Sequence, residues 1–361
     1  MSLSIGIVGL PNVGKSTLFN ALTNNDILAA NYPFATIEPN TGIVPVPDPR
    51  LVALQKMYAA EKVIPATVTF VDIAGLVAGA SKGEGLGNKF LANIRQCDAI
   101  VHIVRAFEDT AILRHDESDI SPKADIEIIN TELILADMQT IENRLPKLQK
   151  EAKAKPAARE QASYLESLLR HLEAGTPLSA LPSLDEEVIG DLHLLTAKPV
   201  IYAFNVDEAT LSDDSKKQAM SALVAPATSL FVCAKLEEEL KGLDEADAAE
   251  LLESYGVKET GLQQMIHAAY DTLGLQSYLT AGPKEVRAWT IKKGATAPQA
   301  AGVIHTDFER GFIAAQVVDY DDLMFAGSET AAKSAGKVRT EGKDYIMRPG
   351  DIVEFRFNVS K

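Results

Sequence analysis

Cysteine is scarce: 361 residues hold two, Cys97 and Cys233, far apart and each inside an apolar stretch. Neither sits at metal-ligand spacing, so a disulfide framework and a thiolate metal site are both excluded and the two are expected in the core. Long hydrophobic runs are missing as well. None approaches the roughly 18 residues of a membrane-spanning helix, and the N-terminus has no charged segment followed by an apolar one. A soluble, cytoplasmic monomer with no membrane partner is expected. Basic charge is in deficit, with 35 Lys and Arg against 50 Asp and Glu and a formal net charge of −15. Such a chain lacks the broad positive field that indiscriminate nucleic-acid binding needs. The deficit is uneven: residues 281–361 hold 12 basic against 11 acidic side chains, and residues 144–170 hold 7 against 3. An RNA surface, if one is a partner, docks at these two regions. The hydrophobic content of 46% is ample for the cores of two or three domains.

The most informative stretch is residues 5–17, where an apolar strand runs into Gly9-x-x-x-x-Gly14-Lys15-Ser16. This spacing is that of a phosphate-binding P-loop. Gly9 and Gly14 let the backbone curl so that the N–H groups of Asn12, Val13, Gly14 and their neighbours point at phosphate oxygens. Lys15 supplies a point charge for the β- and γ-phosphates, and Ser16 offers a hydroxyl to Mg²⁺. The helix opening at Thr17 aims its positive dipole end at the same anion. A nucleoside triphosphate is therefore expected to bind here.

Further along, Pro33 and Pro39 break the stretch Asn31–Asn40 into an ordered loop, and Thr36 lies about 20 residues after the P-loop serine. Nucleotide switches place a second Mg²⁺ hydroxyl there, so Thr36 is either that ligand or a turn residue. Residues 67–75 form a β-branched strand ending in Asp72 and Gly75. Asp72 is the expected Mg²⁺ carboxylate, and the Gly75 N–H is placed to meet the γ-phosphate. The glycine-dense segment Gly79–Asn88 is expected to be a second switch. His102, in the strand Ala99–Arg105, is expected to be a satisfied core histidine rather than a catalytic one. Two helical stretches, over residues 127–150 and from Pro156 through Leu172, predict an antiparallel hairpin with Lys147, Lys150, Lys153, Lys155 and Arg159 near its tip. That basic tip is either a docking surface or a solvated face. Strands at 199–208 and 230–235 carry Asn205, Val206 and Glu208 and then Cys233 and Ala234, which are expected around the nucleotide base. Alternating strands and helices with ligand residues at strand ends make a doubly wound α/β sheet. From about Thr280 the pattern changes to a small mixed β module of ubiquitin-like size with no catalytic constellation, which suggests a binding role.

Several long blocks resemble the YchF, or Obg-like ATPase, family over nearly the whole chain. They are Gly9–Thr17, Tyr32–Gly42, Asp72–Val77, Gly79–Gly87, Asn205-x-x-Glu208, Ala281–Thr290 and Arg348–Phe355. The resemblance implies a P-loop GTPase-like domain (residues 1–130 and 196–279), an inserted helical hairpin (131–195) and a C-terminal TGS domain (280–361). It also implies Mg²⁺-dependent ATP hydrolysis, binding to the ribosome or its large (50S) subunit, and a link to translation and stress responses. The family's catalytic histidine ends a Phe-Glu-Asn-x-x-Ile-Ile-His segment. Here Arg114 takes that position and His115 follows, so His115 acts through a small backbone shift, Arg114 contributes charge, or the water is placed differently. Leu76 follows Gly75 where a water-orienting glutamine is common, so slow intrinsic turnover is expected. By analogy with related P-loops, Asn12 is a candidate ligand for K⁺.

Base preference rests on residues 205–208. A guanine-specific Asn-Lys-x-Asp motif uses its aspartate to accept two hydrogen bonds from guanine, whereas here the motif is Asn205-Val206-Asp207-Glu208. The longer glutamate crowds the guanine edge, and Val206 replaces the lysine stem. ATP is therefore expected over GTP, unless a one-residue shift brings Asp207 to the base. The alternatives are an Obg-type GTPase and a nucleotide-gated binding module whose hydrolysis is incidental.

Overall fold

A computed structural model of the chain describes residues 3–23, 41–73, 86–108, 121–240 and 242–358. These build two six-stranded sheets. The first has the order β2-β4-β1-β5-β6-β7, from β1 (Ser4–Val8), β2 (Thr41–Pro45), β4 (Thr67–Asp72), β5 (Ala99–Ala106), β6 (Val200–Val206) and β7 (Thr228–Val232). Its pairs from β4 through β7 are parallel. Parallel strands buried on both faces read as continuous apolar runs, and β5 is buried at seven of its eight positions. Strand order reverses around β1, so the carboxyl ends of β1, β4, β5 and β6 converge where a doubly wound sheet places its ligand.

The helical hairpin is one 30-residue helix, Pro122–Glu151, followed by Pro156–Glu173. Ser121 caps the first through the Ala124 N–H, and Pro122 sits in the first turn, where its missing N–H costs nothing. Leu165, Leu168 and Leu172 recur at helical spacing and pack against Ile134, Ile141, Leu145 and Leu148. Each fully buried leucine contributes about 1.5–3 kcal/mol. The root is tied by Asp137, which is 0% exposed. Its carboxylate accepts from the N–H groups of Leu195 and Thr196, at 2.8 and 2.7 Å, and from the Thr196 hydroxyl. Burial pushes the Asp137 carboxyl above its usual range, against those hydrogen bonds. The tip residues Lys147, Lys150, Lys153, Lys155 and Arg159 are all exposed.

The second sheet has the order β11-β10-β12-β8-β9-β3, from β3 (Lys62–Ile64), β8 (Leu275–Ala281), β9 (Glu285–Lys292), β10 (Phe312–Asp319), β11 (Arg339–Glu341) and β12 (Asp351–Phe357). Tyr278, Ala315, Val317, Val353 and the helix Ala297–Ile304 form its core. Asp351, 0% exposed, accepts from the Tyr345 hydroxyl at 2.9 Å and from the Arg348 N–H at 2.8 Å, which fixes the turn into β12.

Compact units do not follow the expected domain boundaries. One unit contains Thr69–Ala269, and the other combines Ile43–Val68 with Tyr270 onward. Within the expected nucleotide domain 1–130, β2 and β4 stay in the first sheet whereas β3 (Lys62–Ile64) belongs to the second. There β3 pairs in parallel with β9, Lys62 opposite Glu285 and Ile64 opposite Arg287. The helix Pro49–Tyr58 precedes β3 and is capped by Asp48, whose carboxylate also holds Arg50 at 2.7 Å. The guanidinium of Arg50 donates to the Pro349 carbonyl. The boundary at 280 also moves earlier, because β8 begins at Leu275. Other shifts are smaller. The stretch 230–235 is strand only to Val232, with Ala234 opening a helix.

Candidate nucleotide site

The phosphate loop leaves β1 at Gly9. A Cβ there would lie 2.9 Å from the Ile103 carbonyl and 2.9 Å from Val13 Cγ2, so only glycine permits the loop to cross β5 this closely. Gly14 has φ +89°, and a Cβ on it would meet Asn205 Nδ2 at 2.4 Å. Asn12 also takes a positive φ, 63°, which asparagine tolerates better than most residues. Val13 is buried and anchors the loop from below. The helix Lys15–Thr23 starts directly, with Leu18 N–H donating to the Gly14 carbonyl at 3.0 Å. Ser16 and Thr17 are exposed on its first turn, where backbone N–H groups lack intrahelical partners.

Asp72 ends β4 opposite Ile7, so its side chain arrives beside the loop. The Lys15 ammonium, 8% exposed, donates to the Asp72 carboxylate. The side chain expected at the phosphates and the one expected at the metal hold one another. A hydroxyl at Ser16 and a carboxylate at Asp72 are hard oxygen donors of the kind Mg²⁺ takes when phosphates and water complete its shell. No cluster of three or more His, Cys, Asp or Glu with metal-site geometry exists among the described residues. Ser16 and Asp72 would hold it, and it would supply Lewis-acid neutralisation of charge on the β- and γ-phosphates.

A cleft of about 620 Å³ extends from the loop, bordered by Asn12, Gly14, Thr17, Asn205, Glu208 and Ala234 among others. Asn205 is 3% exposed and binds two segments together: Nδ2 donates to the Val13 carbonyl at 3.0 Å and Oδ1 accepts from the Ala234 N–H at 3.2 Å. One amide hydrogen and one oxygen lone pair are left over for a base. Asp207 is committed elsewhere, accepting from the Thr210 N–H at 2.8 Å as the cap of the helix Glu208–Leu211. One of its oxygens is thereby engaged, which counts against the register alternative for the base carboxylate. Glu208 faces the cleft and pairs with Lys235 at 2.5 Å, an interaction that holds its carboxyl below the usual range. Val206 borders the cleft but is 2% exposed and packs with Val104 and Phe204, so it presents little side-chain surface to a base. Cys233 is buried and burial raises its thiol pKa, leaving its backbone as the group nearest the cleft.

Phe107, Glu108 and Lys235 also border the cleft and were not among the expected site residues. The guanidinium of buried Arg105 lies 4.6 Å from the Phe107 ring centroid. A phenylalanine just after a buried strand carries no sequence signal that separates it from core. His102 is a core residue, 2% exposed, yet its Nε2 has no hydrogen-bond partner among the described residues, so the expectation of a satisfied histidine is corrected. Burial alone pushes its pKa down to about 3. Thr36, Gly75, Leu76, Arg114, His115 and the glycine-dense segment through residue 85 lie outside the described residues.

Residues 4–136 match a family model described as "50S ribosome-binding GTPase". Residues 275–358 match a YchF-GTPase C-terminal model, described as "Protein of unknown function (DUF933)". The ribosome-binding ATPase YchF of Haemophilus influenzae is 52% identical, covering 99% of this chain and 100% of that protein. The chain belongs to the YchF family. The Bacillus subtilis ribosome-binding ATPase YchF is 50% identical over the same shares of both chains. The structure of the Schizosaccharomyces pombe YchF GTPase superposes with a TM-score of 0.86 at 40% identity, covering 98% of each chain. A GTP-binding protein from Pyrococcus horikoshii, at 22% identity and a TM-score of 0.58, shares the fold.

Proposed function

We propose that this protein is a Mg²⁺-dependent ATPase whose nucleotide state controls its binding to the ribosome, through the large (50S) subunit, in the cytoplasm and as a monomer. The carrying observation is the Lys15–Asp72 pair at the mouth of a P-loop whose base cleft holds Glu208 where a guanine reader has aspartate. A bound triphosphate would separate the pair, drawing Lys15 to the β- and γ-phosphates and leaving the Asp72 carboxylate as a group that would hold Mg²⁺. The names carried by relatives about 50% identical over full length support ATP and the ribosome as the partners. Stress-linked control of translation fits a switch of this kind.

Thr36 is proposed as the second metal hydroxyl, Gly75 as the γ-phosphate contact, and Arg114 or His115 as the group that positions water. With Leu76 unable to hydrogen-bond, turnover by the protein alone is slow, and K⁺ at Asn12 or a ribosomal partner raises it. Fast hydrolysis by the pure protein in Na⁺ buffer would contradict this. The basic hairpin tip (residues 144–170, 7 basic against 3 acidic side chains) and the C-terminal TGS domain (residues 281–361, 12 against 11) carry the ribosome contact, since the rest of the chain is acidic.

The deciding experiment is a parallel calorimetric titration of ATP and GTP into nucleotide-free protein with Mg²⁺. ATP is expected to bind more tightly, and Glu208→Asp to gain GTP affinity. Equal or tighter GTP binding by the wild type would instead favour an Obg-type GTPase, and would agree with the description of the family model over residues 4–136 as a GTPase.

A further inference from the structure

The base end of the cleft is bordered by four carboxylates, those of Glu108, Asp207, Glu208 and Glu238, and by one cation, Lys235. Acidic groups ought to favour guanine, whose base-pairing edge presents two donors, N1–H and the 2-amino group, where adenine presents one donor and an acceptor. One Asp207 oxygen is engaged as the cap of the helix Glu208–Leu211, which leaves Asp207 less free to turn to a base than its neighbour. Glu208 remains, 26% exposed at its side chain and aimed into the cleft, with its Oε1 2.5 Å from Lys235 Nζ. Lys235 lies on a different segment, the helix Ala234–Glu239 that begins after β7, and reaches back to Glu208 instead of pairing with Glu238 on its own helix.

We propose, on the reading that this cleft takes the base of ATP, that Lys235 is a positioning residue that holds Glu208 away from guanine and so sets base selectivity. A carboxylate engaged by an ammonium offers one free oxygen, whereas guanine's two donors need both. The extra methylene of Glu208 already puts the free oxygen out of register, and the ion pair keeps the side chain from adjusting. Adenine needs neither oxygen of Glu208, because the unused N–H and lone pair of Asn205 are available to it. The lowered pKa of the Glu208 carboxyl is consistent with the pairing, since its largest cause is the hydrogen bond from Lys235.

The pair is reachable by solvent, Lys235 being 70% exposed at its side chain, which makes it both mutable without loss of fold and sensitive to salt. Mg-ATP, Mg-GTP and Mg-ITP are titrated into wild type, Lys235→Met, Lys235→Arg and the double variant Lys235→Met/Glu208→Gln. Lys235→Met is expected to tighten GTP by about tenfold, the worth of one charge-assisted hydrogen bond. ITP, which lacks the 2-amino group, gains less. Lys235→Arg restores the wild-type ratio, and Glu208→Gln removes the gain. In the wild type, raising ionic strength moves the ATP-to-GTP ratio in the same direction as Lys235→Met. A selective wild type whose GTP affinity is unchanged in Lys235→Met, or a gain that survives Glu208→Gln, overturns the proposal and leaves the ATP reading standing. A wild type that binds GTP as well as ATP overturns both.

Discussion

The phosphate loop and the helical hairpin use buried charge in opposite ways. At the loop, Lys15 and Asp72 satisfy one another with side chains that a ligand can separate. At the hairpin root, Asp137 is satisfied by backbone N–H groups of Leu195 and Thr196 and by the Thr196 hydroxyl, none of which has another role. A pair built from two mobile side chains can be exchanged for phosphate and metal, while a carboxylate locked onto backbone is a fixture. One arrangement suits a site and the other a joint. Substitutions should therefore separate cleanly, costing binding at the loop and stability at the hairpin.

The largest effect expected is at Lys15. Lys15→Ala removes the charge on two phosphates and should weaken triphosphate binding by roughly 100- to 1,000-fold while the melting curve stays close to wild type. Retained ATP affinity by calorimetry would show that the loop is not the site. Leu165→Ala is the mirror case. It empties a 0%-exposed position in the hairpin seam and should cost about 2–5 kcal/mol in chemical denaturation, with ATP affinity per folded molecule unchanged. A matched loss of ATP affinity would break the contrast between the two regions.

Charge reversal at Lys150, Lys153 and Lys155 tests whether the hairpin tip serves a partner. These side chains are exposed and hold up nothing, so stability should not move, but ribosome co-sedimentation should weaken and its dependence on salt should flatten. An unchanged salt slope would place the contact elsewhere.

His102 offers a smaller and pH-dependent effect. Its pKa is about 3 when buried against the usual 6.5, so between those values the unfolded chain holds a proton that the folded chain does not. Stability is complete above about pH 6.5 and falls as pH drops toward 3. His102→Leu should flatten this stretch, gaining on the order of 1–2 kcal/mol at pH 5 relative to pH 8, and melts at the two pH values would show it. Parallel acid loss in both proteins would assign the effect to other groups. The smallest change is expected for Asp207→Ala, which removes a helix cap worth about 1 kcal/mol and should leave the ATP-to-GTP ratio as it was. Loss of base selectivity there would make Asp207, and not Glu208, the reader.

What could be read without coordinates was local. The P-loop spacing, the β-branched strand into Asp72, the 3.6-residue periodicity of the hairpin and the strand carrying Asn205 each depend on residues a few positions apart; the structure has the strands and helices these patterns predict, and the phosphate loop and Asn205 border one cleft. Pairing across long separations left no such trace. Three residues of β3 join β9 some 220 positions later, and β8 hides its central place because Gln276 and Ser277 are buried beside Leu275 and Tyr278, which erases the alternation a strand normally shows. The partners of charged groups were equally out of reach. Sequence named Lys15, Asp72, Asn205 and Glu208 from the chemistry a nucleotide demands. Only tertiary structure decided that Lys15 rests on Asp72, that Asp207 is taken by a helix cap and that Glu208 is held by Lys235, because a side chain's partner is set by which backbone segments the sheet brings together.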